Sequence, residues 1–150
     1  MNSILLAVTL FLAPGQDAPL SDAIKKDMAA LDGEWTMVSG VADGKPMESK
    51  LVRTAKRTCE NGETTIRMEG HLYMMAKFTI DPGKKPKAID YKVTSGSNKG
   101  KTQYGIYELE GDTVKFCFAL PGKDRPTDFS CKESSGHTFG IWKKVKKDEK

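Results

Sequence analysis

KAIDYKV (87–93) and, after a short polar gap, KGKTQYGIYELEGDTVKFCFALPGKDRPTDF (99–129) decide the fold of this chain. Apolar and polar residues alternate through both segments, and Gly, Pro, Asn and Asp interrupt them at short intervals. Side chains on a strand point to opposite faces with a period of two, so this alternation predicts half-buried antiparallel strands joined by tight turns. On 87–94, Ile89, Tyr91 and Val93 share a face; on 113–120, Val114, Phe116 and Phe118 point one way and Lys115, Cys117 and Ala119 the other. The hairpin between 103–109 and 113–120 turns at Glu110-Gly111-Asp112.

The same pattern extends in both directions. A first strand is expected at 34–41, with Trp35, Met37 and Ser39 on one face, ending at Asp43-Gly44. Strands at 51–59 and 63–69 flank Asn61-Gly62, a strong hairpin signal because both central residues of a type I′ turn need positive φ. Next comes 71–80, alternating Leu72, Met74, Ala76, Phe78 and Ile80 against Tyr73, Met75, Lys77 and Thr79, and stopped by Asp81-Pro82-Gly83. Short strands at 127–131 and 138–144 complete the set. Eight or nine consecutive antiparallel strands with no helical crossover tend to close, because closure removes exposed edges. The expected fold is all-β: a small antiparallel eight- or nine-stranded barrel. Ahead of it, Ile24, Met28 and Leu31 fall at helical spacing, which predicts a short amphipathic N-terminal helix able to plug one end or tether it.

Four segments carry a likeness beyond pattern: Pro86-Lys87-Ala88-Ile89-Asp90, Gly105-Ile106-Tyr107-Glu108, Gly111-Asp112 and Arg125-Pro126-Thr127-Asp128-Phe129. They resemble a family of small exported bacterial domains, common in planctomycetes, with a lipocalin-like barrel. The likeness runs over about residues 31–142, and the family has no assigned biochemical activity to carry over. Gly33-Glu34-Trp35 is similar to the Gly-x-Trp signature of a lipocalin's first strand. There the Trp closes the barrel floor, and a basic side chain from the end of the last strand packs across its ring. The resemblance implies structural roles for Gly33, Trp35 and Lys143, with Lys143 standing where lipocalins carry Arg; a cation over an indole face is favourable.

Length and composition suit one domain plus a leader: of 150 residues, 38% are hydrophobic and 29% charged, a globular balance able to bury a core. The apolar run 4–13, followed by small residues at Ala13 and Gly15, reads as a cleaved signal peptide. This divides the chain into a signal at 1–15, a linker and short helix at 16–30, the barrel at 31–145 and a basic tail at 146–150. It predicts export to the periplasm or outside, with no stable membrane insertion after cleavage. The net charge of +4 gathers in Lys84, Lys85 and Lys87 and in the C-terminal lysines, which read as solvated surface. No RNA-binding aromatic motif, zinc finger or recognition helix accompanies them, so nucleic acid is not an expected partner. Cys59, Cys117 and Cys131 match no zinc spacing. Cys117 and Cys131 fall on adjacent expected strands and are the favoured disulfide pair, leaving one thiol over.

No catalytic constellation emerges. His71 and His137 lie in no triad context, and Asp81, Asp90, Glu108 and Asp112 are scattered, so the chain reads as non-enzymatic and needs no cofactor or metal. What remains is the interior. Met74, Phe78, Tyr91, Tyr107, Phe116, Phe118 and Phe129 are candidates to line it, and Arg125 is a candidate rim group that would orient an anionic ligand atom through its guanidinium fork, unless it serves as a clamp to Asp90 or Asp124. Two functions fit. The first is a binding protein that encloses a small, partly apolar ligand. The second is a solid-core module that meets a protein partner in the cell envelope, with no small-molecule ligand.

Overall fold

The computed structural model describes residues 18–147; the segment 1–15 expected to be a signal peptide and the end of the expected basic tail lie outside them. The helix α1 (Ala18–Leu31) precedes β1 (Gly33–Ala42), the two-residue β2 (Lys45–Pro46), the short helix α2 (Ser49–Thr54), β3 (Lys56–Glu60), β4 (Glu63–Met68), β5 (His71–Asp81), β6 (Lys87–Ser95), β7 (Thr102–Glu110), β8 (Thr113–Phe118) and β9 (Thr138–Lys144). Every pairing is antiparallel. From β3 to β9 each strand pairs with the next, β1 joins β3, and β1 also pairs with β9. Eight strands thus close a barrel, while β2 hangs on β1 outside the ring. The fold is the all-β barrel with a short N-terminal helix that the alternation predicts.

The turns explain why the register is fixed. Asn61 (φ 50) and Gly62 (φ 77) both take the left-handed conformation, as a two-residue hairpin between β3 and β4 demands. The inward faces then follow by parity. Trp35, Cys59, Ile66, Ala76, Phe78, Ile80, Ile89, Tyr91, Tyr107, Val114, Phe116 and Trp142 form one buried cluster. Burying a large apolar side chain of this kind contributes on the order of 1.5–3 kcal/mol.

Three expectations about the strands need correction. The segment 51–59 is not one strand. Residues Ser49–Thr54 form α2, in which Ala55 N–H donates to the Leu51 carbonyl (2.9 Å) and the Thr54 hydroxyl to the Lys50 carbonyl (2.8 Å), and pairing starts only at Lys56. The segment 127–131 is not a strand either. The Asp128 carboxylate accepts the Ser130 N–H (2.9 Å) and the Ser130 hydroxyl, an Asx-type turn that takes the backbone away from a ladder. Finally, Ser39 does not share a face with Trp35 and Met37. A bulge between Met37 and Ser39 leaves Val38 exposed and brings Gly40 inward opposite Gly140.

The helix α1 closes one end. Its Asp27 carboxylate, buried, accepts the Tyr107 hydroxyl and the Lys87 ammonium, both at 2.8 Å. Trp35 Nε1 donates to the Leu31 carbonyl (2.9 Å), and the Asn61 N–H at the β3–β4 turn donates to Asp32 (3.2 Å). Lys144 Nζ donates to the Ala30 carbonyl (2.8 Å) and lies 5.0 Å from the centre of the Trp35 ring. The cation over the indole is therefore Lys144, not Lys143. Trp142 faces inward, so alternation returns Lys144 to the inner side and turns Lys143 out to solvent.

Candidate functional site

At the end opposite α1 the barrel is not filled. A cavity of about 180 Å³ lies there, walled by side chains of β1, β3–β9 and the adjoining turns. Met37, Met68, Met74, Phe116, Phe118 and Trp142 are among the residues of its apolar wall. The strands that deliver them are the alternating segments that define the fold: Tyr91 on β6 faces Phe118 with ring centres 4.2 Å apart, and Phe118 lies 5.9 Å from Phe116 on its own strand. Gly105 on β7 makes room for this stack, because a Cβ there would collide with the Phe118 ring.

One charged group sits among these walls, beside the polar side chains of Ser97, Asn98, Gln103 and Thr138. Arg57 on β3 points inward with Cys59 and is only 4% exposed. Its guanidinium carbon lies 4.5 Å from the centre of the Phe116 ring and 4.5 Å from that of Trp142, so the planar cation packs against two aromatic faces. Nη1 donates to the Tyr91 hydroxyl (2.5 Å) and to the Thr64 hydroxyl (3.3 Å). Nε is buried with no partner. Among the described residues, no Asp or Glu lines this cavity, and no ion pair reaches Arg57. Burial pushes the Tyr91 phenol above its usual range, against the pull of the adjacent Arg57 charge. The phenol therefore stays protonated and has its own hydrogen to donate.

The sequence-derived candidates separate into four groups. Met74, Tyr91, Phe116 and Phe118 line the cavity. Phe78 is buried in the core next to Tyr91, ring centres 6.2 Å apart. Tyr107 stands at the α1 end, bonded to Asp27, where burial and that bond push its hydroxyl far above the usual tyrosine range. Arg125 and Phe129 belong to the connection 119–137, away from the cavity. Arg125 Nη1 donates to the Ile89 (3.1 Å) and Gly105 (2.8 Å) carbonyls, and Nη2 to Asp90 (2.6 Å). It is a clamp that fastens the connection to β6 and β7. Phe129 meets Phe139 edge to face at 6.3 Å and, with Tyr107 and three lysines, borders an open groove of about 490 Å³ separate from the cavity.

Arg57 was not among the sequence-derived candidates. It sits in Lys56-Arg57-Thr58-Cys59-Glu60, where a charged side chain ordinarily reads as outward. The available signal is parity: Arg57 is two residues from Cys59 and crosses to Ile66, both buried.

The thiols of Cys59, Cys117 and Cys131 are all free. The favoured Cys117–Cys131 pair is not joined; Cys131 Sγ is turned toward the His137 carbonyl (3.2 Å). Burial, followed by the nearby Cys131 and Asp128, pushes the Cys117 thiol up to about 12. Among the described residues, no cluster of His, Cys, Asp and Glu is placed to hold a metal ion.

The fold and this cavity define a small closed antiparallel barrel with a largely apolar, one-ended interior and, among the described residues, a single buried cation. No protein-family model, no curated protein and no solved structure matches the chain.

Proposed function

We propose that this protein is an exported, non-enzymatic binding protein that encloses a small, partly apolar ligand in the open end of its barrel. The observation that supports the reading is the cavity itself: thioether and aromatic walls on a rigid ring of strands, closed at one end by α1 and approachable from the other. Its 180 Å³ compares with an apolar cavity of about 150 Å³ that takes up benzene. The ligand, or the part of it that is enclosed, is thus about the size of one aromatic ring with a small substituent. Binding would act by enclosure, with apolar walls removing the ligand from water and a few polar atoms orienting it. Methionine-rich walls adapt to more than one shape. A hollow end favours this reading over the solid-core interaction module. Export rests on the apolar run 4–13.

The test is a titration followed by thermal unfolding and by the fluorescence of Trp142, which lines the cavity. Ring-sized aromatic probes are expected to raise the unfolding temperature in a concentration-dependent way. Ser97→Trp, on an exposed turn at the cavity mouth, is expected to weaken binding at least tenfold while leaving the free protein's stability unchanged. Failure of every ring-sized probe to bind, or equal binding to the Ser97 variant, overturns the reading.

A further inference from the structure

We infer that the ligand carries a single carboxylate, and that Arg57 with Tyr91 is its seat. The inference rests on the enclosed-ligand reading and names the chemical class that the cavity selects.

The argument starts from the cost of burying charge. A guanidinium stays protonated in any protein environment, so it cannot escape burial by losing its proton. Buried cations are accordingly paired with carboxylates or other anions. Arg57 has only two hydroxyls and two ring faces, and its Nε is left without an acceptor. Two charged side chains are fully buried among the described residues, Asp27 and Arg57; Asp27 is paired with Lys87, and the half-buried Arg125 is paired with Asp90. Arg57 is the exception, and it lies on the wall of the cavity.

The geometry supplies what a carboxylate requires. Phe116 and Trp142 each place a ring 4.5 Å from the guanidinium carbon and restrict the direction of its N–H groups. Arginine meets a carboxylate with two parallel N–H···O bonds, and such charge-assisted bonds are about twice as strong as neutral ones. The protonated Tyr91 phenol adds a neutral donor beside it. Charge balance sets the class of anion. One guanidinium neutralises one negative charge, whereas a phosphate dianion would leave a net charge buried among methionines and aromatic rings. With the carboxylate seated, the apolar remainder meets Met37, Met68, Met74 and Phe118. Benzoate-like acids and short-chain fatty acids have these proportions.

The experiment compares matched probes by calorimetry on the full chain: benzoate against benzamide, and hexanoate against hexanol. Each carboxylate is expected to bind at least tenfold more tightly than its neutral counterpart. Arg57→Met is expected to bring each pair within about twofold, and Arg57→Lys to keep part of the preference. Arg125→Ala, which alters the outer clamp, is expected to leave the preference unchanged. Neutral probes that bind as well as the acids would overturn the carboxylate inference and leave the enclosed-ligand reading standing. Binding by none of the four removes both. A carboxylate preference that persists in Arg57→Met shows that the seat lies elsewhere and also overturns the inference. The parent protein's selectivity decides the charge question even if Arg57→Met fails to fold.

Discussion

Replacing Asp27 by Ala unfastens the floor of the barrel, and the cost can be worked from its contacts. The carboxylate is the joint acceptor for Tyr107 and Lys87, at 2.8 Å each, and links α1 to both β7 and β6. The bond from Tyr107 is buried and has a charged acceptor; such a bond contributes about 1.5–3 kcal/mol. Its loss also strands the Tyr107 hydroxyl, because Asp27 is the partner that satisfies it. The bond from Lys87 counts for less. That side chain is 40% exposed, and solvent screening holds its share below about 1 kcal/mol. Together, Asp27→Ala is expected to destabilise the protein by about 3–4 kcal/mol. For a domain of this length roughly 4 °C of melting temperature corresponds to each kcal/mol, so the transition moves down by about 12–16 °C. Urea unfolding followed by tryptophan fluorescence suits the measurement, since Trp35 bonds to the Leu31 carbonyl at the end of α1 and reports on this junction. The decisive quantity is the coupling in a double-mutant cycle with Tyr107→Phe, expected at about 1.5–3 kcal/mol. A loss under 1 kcal/mol for Asp27→Ala, or a coupling near zero, would refute the claim that this carboxylate locks the helix to the barrel.

Two further outcomes follow from the packing. Lys144→Met loses both the bond to the Ala30 carbonyl and the contact with Trp35, and is expected to cost about 1–2 kcal/mol, while Lys143→Met stays within about 0.5 kcal/mol; equal effects in chemical denaturation would mean that the strand register at the barrel floor is wrong. The Cys117 thiol, held up to about 12 in the folded protein from an unfolded value near 9, keeps its proton longer when folded, so its stabilisation is complete below pH 9 and drains as pH rises through 12. Cys117→Ala is accordingly expected to lose less stability than the parent between pH 9 and pH 11, by on the order of 1–3 kcal/mol, measured by urea unfolding at each pH; parallel pH profiles for the two proteins count against a buried, protonated thiol.

The sequence by itself determined the strand pattern. Alternation in 87–93 and 99–118, with the left-handed Asn61-Gly62 pair, specifies which residues face inward, because a side-chain period of two leaves little freedom once one face is apolar. It also placed Met74, Tyr91, Phe116 and Phe118 on the inner wall, where the cavity lies. Local chemistry that competes with the pattern was harder to see. The Leu, Val and Thr of α2 resemble a strand until the helical bonds of Thr54 and Ala55 are known, and 127–131 is diverted by the Asp128 side chain. The bulge at Val38 shifts parity by one and cannot be read from residue types alone.

Only the tertiary structure decided the partners. Which lysine covers Trp35 depends on the β1–β9 register, a closure between the two ends of the barrel sequence. Arg125 and Arg57 exchange the roles that their neighbours suggest. Arg125, beside aromatic and turn residues, is fastened outside to Asp90, while Arg57, in a charged strand, turns inward against Phe116 and Trp142. The physical reason is that a charge's meaning lies in what stands opposite it, and in a closed barrel the opposite wall comes from distant strands. Alternation fixes the side of the sheet on which a residue falls; closure alone fixes what it meets there.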